Sequence, residues 1–530
     1  MKLSEALCKT SPERIWGVAA FYGIQPEKPG VQGAQGEPLK AELCDRIAAH
    51  LLIPANALVA MNGLTQEEML ALRLITIAAG GDGVVVEQCH QKLNQLSRKW
   101  RRNGAKVIEA LISRGLVFTR REGYRHIYFV ASDLREVLAE FFLTRLYETA
   151  VVDNARFSPR RAGDFAAPLR HICLFLSYVR KNEVKLTQSG NIFKKAQNEI
   201  QSLIEEEAAP LDESLLPVRY PPRMAFILYF SKSKGMVEER SGSLCIGQKA
   251  FPWLETSYES WRRDLFDYWK QTFITQDSDL QTLLWVIMRA PEGSVLSLES
   301  LLSEMDTLST NHSSHGLEMR VERNLVDSLE YLGGVEVASS INGLFIKPTA
   351  TGRALFGSEL YPEEHFDQYV YVQSNFEVLV PSTVGPRILW AVDSFAELVK
   401  QDQMMVFKLT RKSVYRALLL SYSSETIQSF LREHSKSPVP QNVSYSIAHW
   451  GNAYGRIEFE EAILLKCDTA ELADELLLSP RIQPHLKGKV GPCCLVVDRT
   501  AYDQLLSALS DEGYMPKING NQKLAHDVSG

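Results

Sequence analysis

The strongest chemical signal in the chain is cationic. Ser97-Arg98-Lys99-Trp100-Arg101-Arg102 packs basic side chains around one indole, and Lys106, Arg114, Arg120, Arg121 and Arg125 follow against only Glu109 and Glu122. Guanidinium and ammonium groups clustered this way suit phosphate oxygens, to which they bring charge and several N–H donors each. Trp100 is expected either to stack on a base or to pack. A second group comprises Arg156, Arg160, Arg161, Arg180, Lys181, Lys185, Lys194 and Lys195, and Arg411-Lys412 stand together further on.

Other chemistries find little support. No GxxxxGK[ST] loop occurs, and Gly488-Lys489-Val490 lacks both the upstream glycines and the hydroxyl that would hold magnesium. GxGxxG, GxSxG and HExxH are absent as well. The histidines are isolated, and the eight cysteines include no CxxC pair. Reduced, buried thiols are the expectation, with no metal, no cofactor, no small-molecule substrate and no catalytic set.

The chain has 530 residues, 45% hydrophobic and 23% charged, which are globular values. Its formal charge is −6, so phosphate binding is expected through a local basic patch rather than over the whole surface. The start, Met1-Lys2-Leu3-Ser4-Glu5, has no apolar core of signal-peptide length, and no run is apolar enough for a membrane span. A cytoplasmic, nucleoid-associated location is expected, with no membrane partner.

The elements that position the cations recur. Gly115-Leu116-Val117-Phe118 leads through polar Thr119–Tyr124 to Arg125–Val130. Gly235-Met236-Val237 leads through Glu238–Gly242 to Ser243–Ile246, and Gly334-Val335-Glu336-Val337 leads through Ala338–Gly343 to Leu344–Lys347. Each reads as a glycine ending a helix, a strand, a tight turn and a return strand. Amphipathic stripes precede each hairpin: Leu70, Leu74 and Ile77, then Val107, Leu111 and Ile112; Leu169, Ile172, Leu176 and Val179; Leu280, Leu283 and Leu284, then Val321, Leu325 and Leu329. Helix–turn–helix followed by a two-stranded wing is the winged-helix plan. Such a unit offers the helix before the wing to the major groove and wing cations to the backbone.

The fold class expected is therefore multidomain α+β. A helical N-terminal cap (1–63) precedes tandem winged-helix-like units at 64–150, 151–262 and 263–361, a C-terminal mixed α/β domain (362–518) and a flexible tail (519–530). The first unit is basic. In the second, Thr187 or Ser189 is expected to cap a helix starting near Asn191, placing Lys194 and Lys195 on its first turns. The third carries Glu299, Glu304, Asp306, Glu318 and Glu322 and reads as a spacer or protein-binding module. In the C-terminal domain, Tyr369–Pro381 holds two strand-like runs, Pro386–Val399 a helix, Thr410 a cap for Arg411–Leu420, and Arg456–Leu465 a β segment. Ala470–Leu478 and Thr500–Glu512 read as helices and Cys494–Val497 as a strand.

That domain carries a resemblance. Val372-Gln373-Ser374-Asn375-Phe376-Glu377-Val378-Leu379-Val380-Pro381, followed by Leu409-Thr410-Arg411-Lys412-Ser413-Val414-Tyr415, resembles the N-terminal domain of XPB-type DNA helicases. Pro440-Gln441-Asn442-Val443, Trp450-Gly451, Tyr454-Gly455-Arg456-Ile457 and Gly513-Tyr514-Met515-Pro516 follow in the same order. Val184–Gly190 with Lys194-Lys195 is also similar to bacterial helicase-associated proteins. The resemblance implies an accessory domain that lies beside a motor, contacts distorted DNA or clutches the helicase. The motor's own motifs are missing here. It thus implies a non-enzymatic DNA-binding partner of a superfamily 2 helicase of the XPB type, acting in DNA repair or a related transaction.

The residues expected at double-stranded or forked DNA are Arg98, Lys99, Trp100, Arg101, Arg102, Lys106, Arg120, Arg121, Arg125, Lys194, Lys195, Arg411 and Lys412. The alternatives are a pure protein–protein scaffold, a winged-helix transcriptional regulator, and an enzyme such as a nuclease with a scattered site.

Overall fold

A computed structural model describes residues 1–25, 37–78, 82–96, 100–154, 157–160, 166–204, 220–308, 316–341, 343–357, 360–401, 404–458 and 462–518. The protein is mixed α and β, with 57% of the described residues helical and small antiparallel sheets. It folds as two compact units, Met1–Ala448 and His449–Gly530. No single helix among the described residues is long and apolar enough to cross a membrane.

The first unit opens with helices Leu3–Cys8, Pro12–Phe21, Glu37–Leu51 and Pro54–Asn62. One element order then recurs three times. In the first copy helix Gln66–Ile77, strand Val84–Val85, helices Val86–Leu96 and Trp100–Ser113, and strands Phe118–Glu122 and Arg125–Phe129 follow one another. The second has helix Ala167–Lys181, strand Val184–Lys185, helices Lys194–Leu203 and Pro222–Ser233, and strands Val237–Arg240 and Ser243–Ile246. The third has helix Ser278–Met288, strand Val295–Ser297, helix Leu298–Leu308, a helical stretch from Leu317 to Tyr331, and strands Val335–Ser340 and Gly343–Pro348. In each sheet the return strand lies in the middle, hydrogen-bonded to the short strand on one side and the outgoing strand on the other. The chain leaves the first copy through helix Ser132–Ala150 and adds Val151–Val152 to the sheet of the third.

The helix before each hairpin ends in one way. Gly115, Gly235 and Gly333 have φ of 68°, 67° and 77°, the left-handed region that glycine enters without a Cβ clash. Their N–H groups bond to the carbonyls of Ile112, Lys232 and Glu330. The next residue's N–H reaches back to Leu111, Ser231 and Leu329. This paired bonding satisfies the last orphan carbonyls of the helix. The cap in the third copy is thus Gly333, one residue before the glycine picked from sequence. Gly334 supplies the second N–H.

The remainder of the first unit is a four-stranded antiparallel sheet in the spatial order Tyr371–Val372, Glu377–Pro381, Met404–Lys408, Glu397–Lys400. Helices Pro386–Phe395, Arg411–Leu419, Ser424–His434 and Gln441–Ala453 accompany it. The helix read as Pro386–Val399 stops at Phe395, and Glu397–Lys400 is a strand paired with Met404–Lys408. A continuous apolar run does not distinguish a helix from a helix followed by a buried strand. Thr410 caps Arg411–Leu419 reciprocally with Ser413, as a capping box.

The second unit has its own small core of Ala473, Leu476, Ile482, Leu495, Val497, Leu505 and Leu509. Its strands are Ile463–Lys466, Cys494–Val497 and Leu486–Gly491, in that spatial order. The strand expected over Arg456–Leu465 is confined to Ile463–Lys466, and helix Tyr502–Asp511 begins two residues after Thr500. Leu486–Gly491 was not visible in the sequence, because glycine and lysine break its apolar alternation.

Candidate nucleic-acid interface

Helix Trp100–Ser113 buries Trp100, Val107, Ile108 and Leu111 and exposes Asn103, Lys106, Glu109 and Ser113. Trp100 is 2% exposed. Its indole N–H donates to Nδ1 of His90 at 3.2 Å, and Nε2 of His90 lies 3.2 Å from the Tyr128 hydroxyl. An indole only donates, so Nδ1 is the bare nitrogen and the proton sits on Nε2. His90 is neutral in this arrangement, and burial lowers its pKa in the same sense. Gly104 lets the helix run past that ring: a Cβ there would lie 2.6 Å from the indole nitrogen. The base-stacking role for Trp100 is therefore corrected. It packs, tying the helix to the hairpin strand that carries Tyr128.

The other expected cations separate into tethered and outward groups. Arg114 donates to the Gly63 carbonyl at 3.1 Å and lies 5.2 Å over the Phe21 ring. Arg120 donates to the Asp82 carbonyl at 2.7 Å, pairs with Glu122 at 2.7 Å and covers Phe129 at 5.1 Å. Both hold the fold together. Arg121, Arg125 and Lys106 are exposed, and Arg121 Nε donates to the Gly123 carbonyl at 3.0 Å. Arg101 and Arg102 follow Trp100 at the start of the helix, with side chains outside the description, and Arg98 and Lys99 lie outside the described residues.

In the second copy the loop before helix Lys194–Leu203 closes on itself. Thr187 Oγ1 accepts from Asn191 N at 3.1 Å, and the Asn191 carbonyl accepts from Thr187 N. Neither Thr187 nor Ser189 caps the helix, which starts at Lys194 after Phe193. Lys194 and Lys195 stand exposed on its first turn, where the helix dipole opposes further positive charge. An anion would relieve that conflict. Arg160 and Lys185 are ion-paired, Arg160 with Glu330 and Asp327 at 2.7 and 2.5 Å and Lys185 with Glu183 at 3.5 Å. Arg156 and Arg161 lie outside the described residues. Helix Pro222–Ser233, which stands where Trp100–Ser113 stands in the first copy, buries residues on every face and cannot enter a groove.

Arg180 and Lys181 are also consumed. Helix Ala167–Lys181 packs against helix Pro386–Phe395. There Lys181 Nζ lies 2.6 Å from Asp393 Oδ2, and Ser177 donates to the same carboxylate. Arg180 stacks 4.1 Å over Trp390 and donates to Ser394 at 2.6 Å. Arg387 donates to the Leu254 carbonyl at 3.2 Å and covers Tyr258 at 5.0 Å. The C-terminal sheet is thus joined to the second copy by paired charges as well as apolar area. Single-residue periodicity carries no sign of such long-range partners.

Arg411 and Lys412 are exposed on the first turn of their helix, beside Lys408, which pairs with Glu377 at 3.8 Å. Among the described residues, the outward cations of the expected set thus lie on the first hairpin and the helix before it, at one helix start in the second copy and at one in the C-terminal sheet region. Tyr124 was not singled out from sequence. It sits at the turn of the first hairpin and is 98% exposed.

Residues 370–490 match the family described as the helicase conserved C-terminal domain, and this match links the protein to helicases. It covers the four-stranded sheet, Arg411, Lys412 and the start of the second unit. No curated protein matches the chain.

Proposed function

We propose that the protein is a non-enzymatic accessory of a superfamily 2 helicase of the XPB type. It grips DNA through phosphate contacts and holds the helicase through its C-terminal region. The helicase match at residues 370–490 carries this reading. The recurring element and sheet order supports winged helices in the three copies, and the outward cations of the first wing support phosphate contact. Phosphate contacts position a protein without reading sequence, so little sequence preference is expected. The residues assigned to the backbone are Lys106, Arg121, Arg125, Lys194, Lys195, Arg411 and Lys412, together with Arg98, Lys99, Arg101 and Arg102. DNA repair and a nucleoid-associated cytoplasmic location belong to the same proposal.

Specific features favour a scaffold role for the third copy and for the helix before the hairpin of the second. The second buries the helix before its hairpin, and the third surrounds its equivalent with Glu318 and Glu322. The test is affinity co-purification of the tagged chain from its host, with ATP turnover measured on the purified protein. Recovery of a helicase, with no turnover by the chain alone, is expected. Hydrolysis by the chain itself overturns the non-enzymatic reading.

A further inference from the structure

Three hairpins of one topology end in three different tips. In the first, Glu122 and Arg125 are the last paired residues, and Gly123-Tyr124 make the turn. Opposite residues of an antiparallel pair share a face, and faces alternate along the strand. The register therefore puts Arg120, Glu122 and Arg125 on the face of Phe118, Ile127 and Phe129. Arg121 and His126 fall on the other face. Arg120 neutralises Glu122 at 2.7 Å, so each face keeps one outward arginine beside the tip: Arg125 on one, Arg121 on the other. Between them projects the Tyr124 ring. The second hairpin turns through Ser241-Gly242, and its Arg240 is paired with Glu238. The third exposes Ile341 fully but flanks it with Ser339, Ser340 and Gly343.

We infer that the first wing is a wedge for the junction between paired and unpaired nucleic acid. Tyr124 stacks on the base exposed at the junction, while Arg121 and Arg125 take phosphates of the two diverging strands. This rests on the nucleic-acid reading of the first copy and adds the structure recognised. An aromatic ring gains by stacking on any base face, whatever the sequence. Inside a duplex that face is covered, and inserting a side chain costs unstacking; at a junction it is already open.

The test uses the full chain with a fluorescein-labelled forked duplex and a blunt duplex of the same paired sequence. 2-Aminopurine at the first unpaired position reports stacking. Tighter binding to the fork is expected, with quenching of the 2-aminopurine. Tyr124→Ala should weaken fork binding roughly tenfold to hundredfold and leave blunt-duplex binding within about twofold. Tyr124→Phe should keep the preference, and Ile341→Ala should change nothing. Equal binding of fork and blunt duplex by the native chain overturns the wedge, as does an equal loss on both in Tyr124→Ala. Failure to bind either DNA at low salt removes the nucleic-acid reading itself, and the wedge with it.

Discussion

Lys181 and Asp393, 212 positions apart in the chain, form a buried ion pair at 2.6 Å. Burial lowers the Lys181 pKa while Asp393 pulls it back, and Ser177 donates to the same carboxylate. The pair lies between helix Ala167–Lys181 and helix Pro386–Phe395, where the sheet region packs against the second copy.

Removing half of that pair leaves an uncompensated buried charge. Lys181→Met is expected to destabilise the first unit by about 3–5 kcal/mol. Adding Asp393→Leu should recover much of the loss, because an apolar pair of similar volume needs no desolvation. Chemical denaturation of the single and double variants measures both. Equal instability of the two would contradict the uncompensated Asp393 carboxylate as the source of the loss.

His171 gives the first unit a pH dependence. It is 1% exposed, 3.1 Å from the Tyr331 hydroxyl, and burial with Arg170 and Arg223 nearby holds its pKa well below 6.5. The unfolded chain therefore takes up the proton first as pH falls. The stabilisation is complete above about pH 6.5 and is lost progressively below it. His90 acts in the same direction. Melting temperatures at pH 7.5 and 5.5 should fall for the native chain and fall less for His171→Phe; an unchanged slope contradicts this origin.

Trp100 separates packing from base contact. Trp100→Phe removes the N–H donated to His90 and is expected to cost about 1 kcal/mol. Gly104→Ala, whose new Cβ would overlap the indole, should cost about 1–3 kcal/mol. Neither should change DNA affinity beyond about twofold once the protein is folded. A large drop in affinity in Trp100→Phe, with stability intact, would restore the stacking role.

Much of the order of elements was legible in the sequence. The glycine before each hairpin, the polar turn and the stripes of leucine, isoleucine and valine mark local structure, and local structure leaves a local pattern. What each cation touches was not legible. Arg114, Arg120 and Arg160 look like Arg121 and Arg125 in sequence, yet the first three bind carbonyls or carboxylates brought from distant segments. The indole of Trp100 read equally well as packing or as a base platform until Gly104 and His90 were placed around it. Tyr124 carried a weak signal, an aromatic in a two-residue turn between arginines, that only exposure and register made specific.

The central claim is that outward cations of the first copy hold DNA phosphates. Equilibrium anisotropy of a labelled forked duplex across roughly 50–300 mM salt tests it most directly, comparing the native chain with the Lys106→Ala, Arg121→Ala, Arg125→Ala triple variant. Each phosphate left without its cation should flatten the slope of log K against log salt by about 0.9, or about 2.7 for all three. Absence of binding at the lowest salt, or an identical slope in the variant, would contradict it.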